Sequence, residues 1–509
     1  MNMREFVEGK VAKNLGKTFL YFQEQEITYE DFNSNINRVA NGLLRLGVKK
    51  GDKVCLMLPN CPEFLYSWFG LSKIGAVMVP INTAFKGQET KYVLNHSEAN
   101  TLIVDFSLWE GIRGIRGECA YLEQVVCLGE QPAHDCISFS ELCQGAAPDL
   151  SEIPVAADDI ASIIYTSGTT GPPKGVIQTQ HSYILAGEAF LKRAPVEPQD
   201  RMLICLPLFH INAQFYSTMG CLAAEASLIL LDRFSASKFW EQTRYYQATQ
   251  FNLIGVVGKI LYNQPETDRD ANNPVRVVNS GGMPKDIIEE FEQRFGLMVI
   301  EGYGLTECPL VCQNPFDGIR KPGSIGLPAK HPDPKVRFTE MKVVDEDNQE
   351  VPAGKIGELV IRSPIVMKGY FKDEEKTAQT MQNGWLRTGD YAHMDEDGYF
   401  YFVERKKDIM RRRGEMVSPT EVEGIINQHP KVEMSAVIPV PAELGEDDIK
   451  AYVVVKGGDK LTSEEIINWC QERLAYFKVP QYIEFREDLP KTQSEKIAKH
   501  LLKQESKSD

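Results

Sequence analysis

Apolar residues recur along this chain at two spacings, and the point where one gives way to the other divides it. Over the first 330 residues, helical patterns alternate with continuous apolar runs, as expected of layered α/β structure. Thr28 and Asp31 form a T-x-x-D start signal for a helix that carries Val39, Leu43 and Leu44 and ends near Gly47. KVCLML at 53–58 reads as a strand, and Pro62 sits just inside the next helix, where its missing N–H costs nothing. TLIVD, SLILL and VRVVNS repeat the strand pattern. From about residue 340 the texture turns to short alternating strands, MKVVDEDNQEV, GELVIRS and YAHMDEDGYFYFVE, with Asp397-Gly398 as a hairpin signal. From about 409 a compact α+β pattern follows. SAVIPV, IKAYVVVK and YIEFRED read as strands, TSEEIINWCQERL as an amphipathic helix capped by Thr462 and Glu465, and the end as a lysine-rich helix. The fold class predicted is α/β: a large N-terminal body of layered α/β subdomains with a small β-rich subdomain, then a small α+β C-terminal domain. With no repeat and no low-complexity linker, the boundary has to be short, and ERKKD at 404–408 is the best place for it.

Composition narrows the class. At 509 residues the chain exceeds one compact core, and its 43% hydrophobic and 25% charged residues are ordinary for a globular protein. The most apolar stretch, 64–81, is broken by Lys73, and the start MNMREFVEGK has no apolar segment of the secretory kind. A cytoplasmic location without integral membrane association is expected. Eleven cysteines at no metal-like spacing read as free thiols in a reducing compartment. A net charge of −15 disfavours nucleic acid as a partner. That charge is uneven: 18 Lys+Arg stand against 19 Asp+Glu from Arg405 onward, so residues 1–404 carry −14. Six of the nine residues in RKKDIMRRR (405–413) are basic, either as a solvated face or as a site for an anion-rich ligand.

The sharpest chemical signal is YTSGTTGPPKG at 165–175. Glycine frees backbone N–H groups to converge on phosphate oxygens, Thr166, Ser167, Thr169 and Thr170 add short donors, and Lys174 adds a positive charge. The spacing is not that of a Walker loop, and GVIQTQ after the lysine reads as a strand, unlike a dinucleotide fingerprint. The alternative is a flexible surface loop, against which Pro172 and Pro173 argue by stiffening the exit. Glu307, closing GYGLTE, reads equally well as a hard metal ligand and as a surface acid. Asp390 in TGD suits either two ribose hydroxyls or its own turn.

The loop resembles the phosphate-binding signature of the adenylate-forming superfamily of acyl-CoA synthetases, firefly-type luciferases and peptide-synthetase adenylation domains. Further matches run in family order across almost the whole chain: LPLFH at 206–210, GYGLTE at 302–307, WLRTGD at 385–390, ERKKD at 404–408 and LPKTQSEK at 489–496. LPLFHINAQFYST, RRRGEMVSPTEVE and KTQSEK look most like the crotonobetaine/carnitine-CoA ligase branch of acyl-CoA synthetases. The resemblance implies an N-terminal adenylation domain (1–404), a hinge (405–408) pivoting at Lys407, and a mobile C-terminal lid (409–509). It implies an ATP-dependent carboxylic acid–CoA ligase that forms an acyl adenylate and yields acyl-CoA, AMP and pyrophosphate. ATP, Mg²⁺ and coenzyme A are the implied cofactor and substrates, and the enzyme is expected to be a monomer or homodimer.

By the same resemblance, Lys496 bridges the acyl carboxylate and the α-phosphate, Thr306 touches that phosphate, and Glu307 with Thr166 holds Mg²⁺. ATP and AMP fall to Thr166, Ser167, Gly168, Thr169, Thr170, Gly171 and Lys174, and to Gly281, Gly282, Met283, Glu301, Gly302, Tyr303 and Gly304. In that set Tyr303 stacks on adenine, while Asp390 and Arg405 take the ribose. The acyl group falls to His210, Asn212, Val256, Gly281 and Gly304. CoA falls to Arg411, Arg412, Arg413, Gly414 and Glu415. Glu495 stands where relatives often have glycine before the lysine. A trimethylammonium acid would want an acidic or aromatic cage, for which Glu301, Tyr216 and Trp240 are candidates. Two other readings stay open: transfer of the acyl group to a carrier-protein thiol or another acceptor, and a silent nucleotide-binding regulator.

Overall fold

The structure is a computed structural model. It describes residues 1–129, 136–166, 172–406, 408–412, 415–441, 447–457, 459–491 and 497–506, apart from the side chains of Arg411, Glu415, Met416 and His500. Two compact units are present: residues 1–340 with 361–386, and residues 341–360 with 387–509.

The first unit contains two large sheets. One runs in the order Gly369–Tyr370, Lys174–Thr179, Ile160–Thr166, Val77–Pro80, Lys53–Met57, Thr101–Asp105, Gln124–Leu128, Ile137–Ser138. The other runs Leu327–Pro328, Cys308–Gln313, Met298–Leu305, Val277–Gly281, Gln250–Ile254, Arg201–Ile204, Ser227–Leu230, Thr18–Phe22, Gln25–Thr28. The local signals act as the sequence predicts. Thr28 caps the helix Tyr29–Arg45 by accepting from the Asp31 N–H. Pro62 opens Pro62–Ile74, which stops at Gly75 in the left-handed region (φ 71°). KGVIQT is a strand.

The second sheet carries two kinds of face. Phe251, Leu253 and Val278 pack with Phe291 and Phe295 of the helix Lys285–Phe295 in one core. Each such buried ring contributes about 1.5–3 kcal/mol. The alternate residues Gln250, Asn252 and Asn279 are buried and polar, and Asn252 donates to Ser217 Oγ at 2.8 Å. Ser217 belongs to a π-helix, Asn212–Thr218, whose wide turn Thr218 braces by donating to the Ala213 carbonyl at 2.7 Å. The parallel strands Gln250–Ile254, Val277–Gly281 and Met298–Leu305 reach their carboxyl ends together, with Ile254 opposite Gly281 and Ser280 opposite Glu301. That edge is where open α/β sheets take their ligands.

In the second unit, Trp385–Met394 and Phe400–Arg405 form the hairpin predicted at Asp397-Gly398, with Gly398 at φ 82°. Val432–Pro441, Asp447–Val455 and Tyr482–Arg486 make a three-stranded sheet covered by Ser463–Gln471, whose capping box is Thr462 and Glu465. Residues 387–404 group with the C-terminal residues because Ser418 Oγ donates to the Val403 carbonyl (3.1 Å) and Thr420 Oγ1 to Glu404 (2.7 Å), fixing the hairpin to the helix Pro419–Asn427. Among the described residues no helix is long and apolar enough to cross a membrane.

Candidate active site

Ile160–Thr166 and Lys174–Thr179 pair antiparallel with Thr166 opposite Lys174, so the two ends of the glycine-rich loop are held side by side. Ser167, Gly168, Thr169, Thr170 and Gly171 lie outside the described residues. A third segment clasps this hairpin. Gly369 and Tyr370 pair with Ile177 and Val176, and the Phe371 N–H donates to the Gly175 carbonyl at 2.7 Å. The same segment reaches GYGLTE: Tyr370 Oη donates to Glu307 Oε1 at 2.8 Å, and the Met367 N–H to the Glu307 carbonyl at 2.7 Å. Gln178 Nε2 donates to the Thr306 carbonyl at 2.8 Å. The Lys174 ammonium stands 5.5 Å from the centre of the Tyr370 ring. Burial, then the Glu307 charge, pushes the Tyr370 phenol well above the ordinary tyrosine range, so it stays a donor. Tyr370 has no sequence signal, since a lone tyrosine 63 residues from Glu307 looks like any other.

No group of three or more His, Cys, Asp or Glu side chains able to hold a metal occurs among the described residues. Glu307 has one oxygen engaged by Tyr370, and its Oε2 has no partner among the described residues. A single hard carboxylate of this kind suits a Mg²⁺ that takes its other ligands from phosphate and water.

At the carboxyl ends of the parallel strands, Gly281, Gly282 and Met283 form a turn stabilised by Glu301. Its carboxylate accepts the Gly282 N–H at 3.0 Å and the Met283 N–H at 3.3 Å. Burial raises the Glu301 carboxyl, opposed by those N–H groups and by the charge of Arg193. Gly282 has φ +81°, and a Cβ on Gly255 would lie 1.8 Å from the Gly282 carbonyl oxygen. Val256 is half-buried on the helix that Gly255 opens. Tyr303 pairs opposite Cys312, and Gly304 is so tightly enclosed that a Cβ would lie 1.9 Å from the Pro309 oxygen and 2.4 Å from Tyr216 Oη. His210 is exposed beside Phe209, and Asn212 begins the π-helix with its Oδ1 buried and unbonded among the described residues.

The cage residues do not come together as one. Trp240 stacks on Phe295 at 4.4 Å within the core. Tyr216 stacks on Phe190 and carries Arg193 over its ring at 5.6 Å.

In the second unit Asp390 is buried opposite the exposed Arg405, whose Nε stands 3.6 Å from Asp390 Oδ1. Two more residues of the basic run are engaged within this unit. Lys406 pairs with Glu358 (3.0 Å), and Arg412 donates to the Phe477 and Val479 carbonyls (3.2 and 3.0 Å) with Asp448 at 3.6 Å. Lys407, Arg413, Gly414 and Lys496 lie outside the described residues, as do the side chains of Arg411 and Glu415.

Residues 7–371 match the AMP-binding enzyme family, and residues 421–496 match the AMP-binding enzyme C-terminal domain. The chain is 37% identical to a crotonobetaine/carnitine–CoA ligase of Salmonella typhi, covering 99% of each chain. It is similar to the anthranilate CoA ligase AuaEII solved with anthranoyl-AMP (TM-score 0.92, 30% identity, 100% of this chain and 98% of that one). It is also similar to ATP-bound MatB of Rhodopseudomonas palustris (TM-score 0.90, 28% identity, 100% and 99%).

Proposed function

Starting from the fact that this chain belongs to the AMP-binding enzyme family, we propose how its own residues divide the work of the reaction. The chain is an AMP-forming acid–CoA ligase acting through an acyl adenylate. A carboxylate oxygen attacks the α-phosphorus of ATP, a new P–O bond forms, and the bond to pyrophosphate breaks. The CoA thiolate then attacks the acyl carbon and AMP departs. In the first step two anions must approach while charge grows on the leaving pyrophosphate, so the site needs positive charge and N–H donors more than a base.

The observation that carries the assignment is the clasp. Tyr370 holds Glu307, and its own strand is bonded to the strand that leaves the phosphate loop. The carboxylate of GYGLTE is thereby fixed relative to Thr166 and Lys174. Mg²⁺, when bound there by Glu307 and Thr166, neutralises phosphate charge. Lys174 and the loop 166–171 hold the phosphates. The turn Gly281–Met283, kept open by Glu301, lines adenine with Tyr303, and Asp390 with Arg405 takes the ribose. His210, Asn212, Val256 and Gly304 border the acyl group. Lys496 serves adenylation and the 411–415 loop serves the thiol, with Lys407 as the pivot. The relatives solved with ATP and with an acyl-AMP hold the two species that this reading places here.

The test is pyrophosphate release from ATP·Mg²⁺ over a panel of carboxylic acids, with and without CoA. Multiple-turnover release that requires CoA is expected. Release indifferent to CoA would move the acyl group to a carrier-protein thiol or other acceptor. Tyr370→Phe should lower kcat/KM for ATP·Mg²⁺ about tenfold, equivalent to ~1.4 kcal/mol for one hydrogen bond to a charged group, and leave the melting temperature nearly unchanged. An unaltered kcat/KM would remove Tyr370 from the site.

A further inference from the structure

Arg193 ends the helix Gln180–Arg193 and is 3% exposed, yet no carboxylate stands within ion-pair distance of it among the described residues. Its Nη2 donates to the Ser280 carbonyl at 2.8 Å and the Ile300 carbonyl at 3.4 Å. Among the described residues its Nε is buried without a partner, and both of its hydrogen bonds leave from Nη2, none from Nη1. Glu301 acts on the guanidinium only through space, its carboxylate being taken by the Gly282 and Met283 N–H groups. A buried cation with unused donors and no adjoining anion is unfavourable unless an acceptor comes to it.

Its surroundings indicate where that acceptor belongs. The guanidinium lies against Gly302, where a Cβ would stand 2.7 Å from both Cζ and Nη1. Two residues on, a Cβ on Gly304 would stand 2.4 Å from Tyr216 Oη. The side-chain positions that the two glycines of GYGLTE leave vacant are therefore filled by a guanidinium and a phenol, which stand directly against the backbone of that motif. Arg193 Cζ is also 5.6 Å from the centre of the Tyr216 ring. The aromatic partner that might have served a substrate cation already holds the protein's own cation.

We propose that Arg193 marks the far end of the acyl pocket and that the acid is a short one with a second carboxylate, bound there by the guanidinium. This rests on the ligase reading and on Gly304 bordering the acyl group. A planar fork of N–H donors matches a carboxylate in charge and shape. A trimethylammonium acid, of the sort named for the 37% identical Salmonella ligase, would instead set one cation against another.

The test measures CoA-dependent pyrophosphate release with malonate, succinate and glutarate, with monocarboxylates of matching length, and with crotonobetaine. It uses the wild type, Arg193→Gln and Arg193→Met. The wild type should favour one dicarboxylate over its matched monocarboxylate by about 100-fold in kcat/KM, and both substitutions should collapse that ratio. A purely structural arginine would depress both substrates together and leave the ratio intact, which would overturn the proposal. A wild type that prefers crotonobetaine or monocarboxylates overturns it without any variant, so a misfolded variant does not block the test. Release with no acid at all would defeat the ligase reading first and this proposal with it.

Discussion

Glu307→Gln should slow pyrophosphate release by about a thousandfold, equivalent to ~4 kcal/mol in the barrier, while leaving the fold intact. Glutamine preserves the shape and can still accept from the Tyr370 hydroxyl, which bonds Glu307 Oε1 at 2.8 Å. What disappears is the negative charge on a half-buried side chain, and with it the hard oxygen donor that suits Mg²⁺. The backbone there is held independently by the Met367 N–H on the Glu307 carbonyl, so the melting temperature should barely move. Thioester formation from a supplied acyl adenylate should survive, because the α-phosphate chemistry is already complete. A loss of less than threefold in adenylation would take Glu307 out of the metal's coordination shell.

Gly304→Ala is expected to damage both the fold and the chemistry by adding a single carbon. The added methyl would lie 1.9 Å from the Pro309 carbonyl oxygen and 2.4 Å from Tyr216 Oη. Backbone on one side and a buried, stacked ring on the other leave it no room to relax. The antiparallel pairing of Met298–Leu305 with Cys308–Gln313 already shifts register between Tyr303 and Leu305, so the strain would fall on the residues next to Thr306 and Glu307. Overpacking of this kind costs about 1–3 kcal/mol, or roughly 2–10 °C in melting temperature. Adenylation should fall about 100-fold as the GYGLTE turn shifts. Gly111→Ala, where an added Cβ meets nothing within 4 Å, is the control and should be neutral. Equal behaviour of the two variants would show that the turn tolerates displacement.

Most of the elements were legible because their signals are local. Thr28 with Asp31, Thr462 with Glu465, Pro62 and Asp397-Gly398 each act through bonds within a few residues, and each forms as predicted. The domain boundary was less legible. The motif at 404–408 is a local signal, whereas the ties of Val403 and Glu404 to residues 418 and 420 are contacts that no short motif announces. The basic run 405–413 was ambiguous for a similar reason: whether Lys406 and Arg412 serve a ligand or the fold depends on Glu358, Asp448 and two carbonyls far along the chain.

By itself, then, the sequence determined the reaction class through its resemblance to the adenylate-forming superfamily, whose motifs are short local runs that survive in order along the chain. It also determined the α/β body, because hydrophobic period is a local property. Only the tertiary structure decided that Tyr370 holds Glu307, that Gly255 makes room for the Gly282 carbonyl, and that Arg193 lies buried behind Gly302 with no anion beside it among the described residues. Those facts are contacts between segments far apart in the chain. Tyrosine, glycine and arginine are common residues whose roles depend on what packing brings beside them.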